Sequence, residues 1–418
     1  MLLLFFICDY YPAGLDSSSL TIWLDARYHE GYDYFNKKWI DMSGNNYHVS
    51  ITPGVSFSDF NGGSMVFDGS GELIMPAVVS NYPVSVVSSV THSGNWALSG
   101  STSTNEIVNL NLGGRRVTLS ASLHSLRGVV VCYGGTSHFH SSEIPQKIGP
   151  NDWNTIIYRI FDLNSNRVNI NSQETVMNDV GGSHGGSPCY AIGGNGNCNS
   201  WDENWRGRIS DLIIYNKSLS NSETKIINAY ESMMSGTFNN SELIDQYNGG
   251  KRIVELVGIG RETINDMISY SVFSSGCLRL RSNSLYGSFL YTDGNYLIAA
   301  HNNESTDFVR TPFFDLLLKR KWFIQCTQTN TGIVHFDFSS IGLNRIKGSF
   351  ALYYSSDESF LTNIHQVPYV SCLNNNYTIN SENLQTGFYT LGEGFIGNSK
   401  NLPNTSILYL ISVFTFLL

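Results

Sequence analysis

The sequence predicts an all-β protein built from two sandwiches, and three observations lead there. First, 41% of the 418 residues are hydrophobic and 13% aromatic, enough to fill two or three cores of ordinary size. Second, only 14% are charged while Gly, Ser, Asn, Thr and Tyr are plentiful, which suits short strands and tight turns better than long helices. Third, short alternating apolar runs recur along the chain with Gly, Asn or Ser turns between them. That is the pattern of a sandwich or jelly roll, whose two sheets bury alternate residues.

Taken in order, the first strand is Leu20–Ala26, which places Leu20, Ile22 and Leu24 on one face. Further strands are expected at Gly63–Phe67, Ser85–Val90, Glu106–Leu112, Arg116–Ser120, Gly128–Tyr133, Asn154–Phe161, Val168–Ile170 and Arg208–Tyr215. A closing helix follows. Ser220-Asn-Ser-Glu223 is a capping box, Ile226, Ile227, Tyr230 and Met233 or Met234 form one apolar face, and Gly236 supplies the stop. The first domain is therefore expected over residues 15–236 and a second, smaller β-sandwich over 243–393. In the second, Gly258-Ile-Gly260 lacks the third glycine of a nucleotide-binding loop, since Thr263 stands in its place, and is expected to form a tight turn or bulge.

Three motifs in the first domain fall in a telling order: Trp39-Ile-Asp-Met-Ser-Gly-Asn45, Val66-Phe-Asp-Gly-Ser-Gly71 and Trp205-Arg-Gly-Arg-Ile-Ser-Asp211, the last leading into the capped helix. The series resembles laminin-G-like domains, and it implies a concanavalin A-like jelly roll acting as a surface binding module. Tyr247 to Glu262, with Ile-Gly-Arg at 259–261, Lys321-Trp-Phe323 and Gly387-Phe-Tyr-Thr-Leu-Gly392, resembles an uncharacterised β-rich domain of bacterial, Bacteroidetes-type, surface proteins. That second resemblance implies a surface setting and no particular chemistry.

The two ends and the cysteines point outside the cell. Residues 1–14 read as a signal-like leader containing Cys8, which leaves six cysteines for up to three disulfides. Cys189 and Cys198 are the best-supported pair, because the Gly/Asn turn between them folds the segment back on itself. Asn-x-Ser/Thr sequons at Asn216, Asn239, Asn303, Asn376 and Asn404 are candidate glycan acceptors. Residues 397–418 combine small residues at Gly397-Asn398-Ser399, a polar spacer of seven and an apolar run of twelve, the order of a glycosylphosphatidylinositol-anchoring signal. A truncated membrane span and a buried last strand are the alternatives for this tail, which is the only part expected to meet a membrane.

A net charge of −9 gives no electrostatic footprint for nucleic acid, which is excluded as a partner. The best candidate carbohydrate contact is Trp201 with Asp202, on a hairpin tip where the ring covers a sugar face and the polar groups meet hydroxyls. No cofactor is expected, although the laminin-G-like resemblance admits calcium, for which Asp41, Asp68 and Asp202 are the rim carboxylates. His138, His140 and His184 have no third ligand at a matching spacing. Glycosidases of concanavalin-like fold carry Glu-x-Asp-x-x-Glu on one strand, and that spacing is missing here. The expectation is therefore a non-enzymatic, extracellular or cell-surface protein for adhesion or carbohydrate recognition, with a glycan or extracellular protein as partner. A structural spacer or protein-interaction module is the alternative, and a glycoside hydrolase the third reading.

Overall fold

The structure is a computed structural model that describes residues 11–79, 81–93, 104–112, 115–122, 128–133, 151–162, 165–178, 190–194, 204–237, 243, 254–272, 275, 277–283, 285–327, 332–341 and 350–395. Nearly all of its regular structure is β, and the sheets stack in layers with the helix Asn221–Ser235 in the middle. The expected all-β fold of successive β-sandwiches is what the chain adopts.

The first sandwich pairs a nine-stranded sheet with a five-stranded one. The larger sheet runs in the order Gln173–Asn178, Ser165–Ile170, Asn154–Ile160, Val84–His92, Arg206–Ile209, Ser64–Asp68 and Val55–Ser58, and Asp211–Tyr215 joins it to Leu20–Asp25. All these pairings are antiparallel. Strict alternation sends Ile22, Leu24, Val84, Val86, Val90, Ile156, Tyr158 and Ile160 toward the five-stranded sheet, where they meet Val108, Leu110, Leu112, Val117 and Ile192. Trp205 is fully buried in that core, its ring set edge-on to His92 with centroids 5.3 Å apart.

The opposite face of the nine-stranded sheet is covered too. Trp23, Val87, Ile157, Ile213 and Tyr215 pack on Ile226, Ile227, Tyr230 and Met233 of the helix, and these in turn on Leu256, Tyr296, Ile298, Phe323 and Phe388 of a second nine-stranded sheet. The far side of that second sheet, through Val257, Ile259, Leu297, Trp322, Ile324 and Leu391, meets Leu280, Val334, Phe336, Tyr377 and Ile379 of a four-stranded sheet. Burial on both faces explains why all nine residues of Val84–His92 are buried although the strand contains three serines. Each hydroxyl has a partner: Ser85 Oγ accepts from Leu219 N (2.9 Å), Ser88 Oγ donates to the Asp211 carbonyl (2.7 Å) and Ser89 Oγ to Glu231 (2.8 Å).

The helix forms where the sequence predicts. Ser220 Oγ accepts from Glu223 N, Glu223 Oε2 accepts from Ser220 N, and Gly236 closes the helix with a left-handed φ of 73°. A second cap comes from far along the chain, because Asp266 accepts from the backbone N–H groups of Asn221 (3.0 Å) and Ser222 (3.1 Å). One expectation is corrected here. Gly258 and Gly260 form neither a turn nor a bulge but lie inside the strand Val254–Thr263, whose register shifts fall on either side of them, between Val254 and Val257 and between Arg261 and Thr263. A Cβ on Gly258 would lie 2.9 Å from Ile226 of the helix, and one on Gly260 2.1 Å from the Tyr296 ring, so these glycines permit close packing.

Beneath the helix lies a fully buried charge cluster. Arg27 binds Asp25 through both Nε (2.8 Å) and Nη2 (2.7 Å), reaches Asp211 at 3.1 Å and donates to Glu231 at 2.9 Å. Tyr230 Oη also donates to Asp25 (3.2 Å), and Ser210 Oγ to Asp211 (2.7 Å). Burial, followed by the negative charge of Glu231, pushes the Asp211 carboxyl well above the usual carboxylate range against the pull of Arg27.

Candidate functional site

The structure accounts for the predicted rim carboxylates. Asp41 is buried, and its two oxygens accept from the backbone N–H groups of Trp23, Ser43 and Tyr47 and from Ser43 Oγ at 2.9–3.0 Å, so they fasten the loop to the first strand. Asp68 accepts from Ser70 N and Ser70 Oγ, both at 2.7 Å, and these bonds hold its carboxyl below the usual range. Among the described residues no group of three or more His, Cys, Asp or Glu side chains is placed to hold a metal ion. The three buried acids beneath the helix converge on a guanidinium instead.

Asn216 and Asn303 are exposed and Asn376 is half-buried. Trp201, Asp202, Cys189, Cys198, Asn239, Gly397 and Asn398 lie outside the described residues, as do His138, His140 and His184. Cys326 and Cys372 carry free thiols, so the six cysteines beyond the leader do not form three disulfides.

The arrangement best suited to binding lies in the second sandwich, where sequence reasoning placed no ligand-contacting residue. The loop from Leu285 to Asn295, the start of the strand Ile333–Asp337 and the end of the strand Asn376–Asn380 enclose a cleft of about 480 Å³. This lies within the range of about 300–1,000 Å³ common for small-molecule sites. Tyr286, 89% exposed, and Tyr291, half exposed, form an aromatic corner with ring centroids 5.3 Å apart and planes at 82°. Asn380 and Glu382 stand on one side, and Asn295 lines the floor.

The loop is fixed in advance of any ligand. Ile333 N donates to the Gly287 carbonyl (3.0 Å) and Ser381 N to Gly332 (2.7 Å). Arg261 grips the loop through Asp293 (2.6 Å) and the Leu290 carbonyl (3.0 Å). Gly287 and Gly294 take φ values of 81° and 80°, which a side chain rarely adopts, and so allow the sharp turns on either side of the aromatic corner. Asn295 is 1% exposed, and its Nδ2 donates to the Phe289 carbonyl (2.6 Å). Its Oδ1 is buried without a hydrogen-bond partner, an expensive state for a polar atom. The cleft therefore presents two aromatic faces, an amide and a carboxylate, and is lined by Asn295, whose buried Oδ1 is unpartnered.

No protein-family model and no curated protein sequence matches the chain. Among solved structures, it is similar to domain 4 of AbnA, a GH43 extracellular arabinanase from Geobacillus stearothermophilus, in complex with arabinotriose. That match has 19% identity and a TM-score of 0.38, and covers 50% of this chain and 98% of that one. It is also similar to Trypanosoma rangeli sialidase in complex with the inhibitor DANA, at 16% identity and a TM-score of 0.39, over 54% of this chain and 36% of the sialidase. The match thus spans about a third of the sialidase's length. A point mutant of HCR/D aligns over 90% of this chain and 98% of its own, at 12% identity and a TM-score of 0.33. What these share with the chain is a β-rich, sandwich-like architecture, and laminin-G domains in particular are not singled out.

These neighbours correct the expectation that the chain is not an enzyme, because glycoside hydrolases stand among the similar structures. The missing Glu-x-Asp-x-x-Glu spacing excludes one strand arrangement of two carboxylates and not the reaction class, since carboxylates on separate elements can face each other across a cleft. The likeness itself assigns no activity to this chain.

Proposed function

We propose that the chain is a carbohydrate-recognition protein of the cell exterior, and that the cleft at Tyr286 and Tyr291 receives the sugar. The observation that carries this reading is the exposed, pre-set tyrosine corner above a buried, unpartnered Asn295 Oδ1. Pyranose and furanose rings present C–H faces that stack on aromatic rings and hydroxyls that satisfy a buried acceptor. The arabinotriose and inhibitor complexes among similar structures accord with a glycan ligand. In this reading, residues 15–236 form a laminin-G-like jelly roll, residues 243–393 carry the glycan cleft, and the C-terminal tail serves for lipid anchoring.

The test is a glycan array probed with the folded chain, followed by calorimetry on the best ligand and mass analysis of that ligand after incubation. Tyr286→Ala is expected to weaken binding about tenfold, since losing one stacked ring is worth about 1 kcal/mol or slightly more. An array without signal, or affinity unchanged in Tyr286→Ala, would refute the assignment. The mass analysis shows whether the bound glycan is also cleaved.

A further inference from the structure

A second cleft, of about 250 Å³, lies between the helix and the outer strands of the first nine-stranded sheet. Register builds its floor. Asn169 faces Ile157 on one side and Glu174 on the other, while Arg159 stands two residues along from Ile157 on the same sheet face, diagonal to Asn169. Arg159 is 2% exposed and donates to the Leu219 carbonyl (3.1 Å), to Asn221 Oδ1 (2.8 Å) and to Glu174. Its Nε has no hydrogen-bond partner, and neither has Oδ1 of Asn169, a residue 7% exposed. An orphaned donor and an orphaned acceptor thus belong to two diagonal residues that line one cleft.

We propose that this cleft binds a small neutral polyol of about monosaccharide size, at a site separate from the tyrosine cleft. The charges on its walls are already balanced, since Glu174 pairs with Arg159, and Glu262 with Lys225 at 3.0 Å. A net charge on the ligand would be left without a counterion. The two orphaned floor atoms need a partner that accepts at one point and donates at the next, and the hydroxyl is the group that does both. Thr224 and Asn221 extend the polar wall, and among the described residues Leu243 is the one apolar side chain lining it. Among the described residues no aromatic ring lines the cleft, and hydrogen bonding rather than stacking would select the ligand.

The experiment is hydrogen–deuterium exchange on the full chain with arabinose, galactose, glucose and inositol as separate probes, and with inorganic phosphate and ethanolamine as anionic and cationic controls. The expected result is protection by at least one polyol confined to residues 154–178 and 221–235, with affinity falling roughly tenfold or more in Asn169→Leu. Thr224→Val is expected to weaken binding in the same direction, and it decides the matter if Asn169→Leu does not fold. The proposal is overturned if no polyol protects these strands, if protection is confined to residues 285–295, if the charged controls bind instead, or if the folded variants bind as the parent does. Because the readout is local, failure here and failure of the tyrosine cleft are told apart.

Discussion

Replacing Arg27 with Met tests how the helix is fastened to the first sandwich. The guanidinium is the common partner of Asp25, Asp211 and Glu231, all four being fully buried. Removing one member of a buried ion pair costs about 3–5 kcal/mol, and here three carboxylates lose their cation together, so the upper end is expected at pH 7. Whole-domain stabilities of about 5–15 kcal/mol make such a loss close to unfolding. The pH dependence carries the sharper signature. In the parent, the raised Asp211 carboxyl means the folded state holds more protons than the unfolded one between the unfolded value near 3.9 and its own higher value. Stability from that group is therefore fully present below the unfolded value and is lost as pH rises through the folded value, by at most ~1.4 kcal/mol per pH unit. Without Arg27 more carboxyls must be protonated to stay buried, so Arg27→Met should lose stability more steeply with rising pH, and its deficit should shrink on acidification. Arg27→Lys keeps the charge but loses the two-pronged contact with Asp25, and should fall between the two. Urea denaturation followed by circular dichroism from pH 4.5 to 8 measures all three proteins. A deficit of less than about 1 kcal/mol, or one equal at every pH, would refute the account.

Three further outcomes are expected. Gly207→Ala places a methyl 2.1 Å from the Thr91 carbonyl oxygen in the neighbouring strand, so the expected loss exceeds about 2 kcal/mol in thermal or urea unfolding. Asp266→Ala removes two charge-assisted bonds to the helix N-terminus, and should cost about 1–2 kcal/mol and raise exchange rates first at residues 221–224. Under native conditions a thiol reagent mapped by mass spectrometry should modify exposed Cys372 rapidly and Cys326 slowly, because burial pushes the Cys326 thiol up and shields it. Equal rates at these two cysteines would contradict the placement.

Much of the fold was readable because its signals are local. The capping box at Ser220 and the stop at Gly236 bracket the observed helix, and alternation located most strands of the first sandwich. Trp205, which opens the third of the quoted motifs, is fully buried in the first core. What could not be read was burial on two faces. Ser85 and Ser89 alternate onto one face and look like the solvent side of a strand, while Ser88 falls on the core side, and only the helix, Leu219 just ahead of it and the neighbouring strand, all contributed by later sequence, take up their hydroxyls. The candidate site failed for a similar reason. Tyr286, Gly287, Tyr291 and Gly294 form a local pattern of aromatics between turn residues that could have been noticed, but Ile333, Asn380 and Glu382 reach the same cleft from segments far along the chain. The orphaned Asn295 oxygen has no sequence signature at all.

One strand connects these features. Val254–Thr263 lacks a side chain at Gly258, where Ile226 of the helix comes in, and Asp266, just past the following turn, caps that helix. Three residues after Gly258, Arg261 exchanges backbone hydrogen bonds with the tyrosine loop, donating to the Asn295 carbonyl (3.0 Å) and accepting from Gly294 N (2.7 Å), while its side chain holds Asp293 and Leu290. The next residue, Glu262, accepts from Tyr296 Oη (2.7 Å), pairs with Lys225 and lines the second cleft. Both clefts therefore take their geometry from a strand whose position is set by close helix packing. A bulkier residue at Gly258 would be expected to push the helix and this strand apart and disturb both sites at once, although it touches neither.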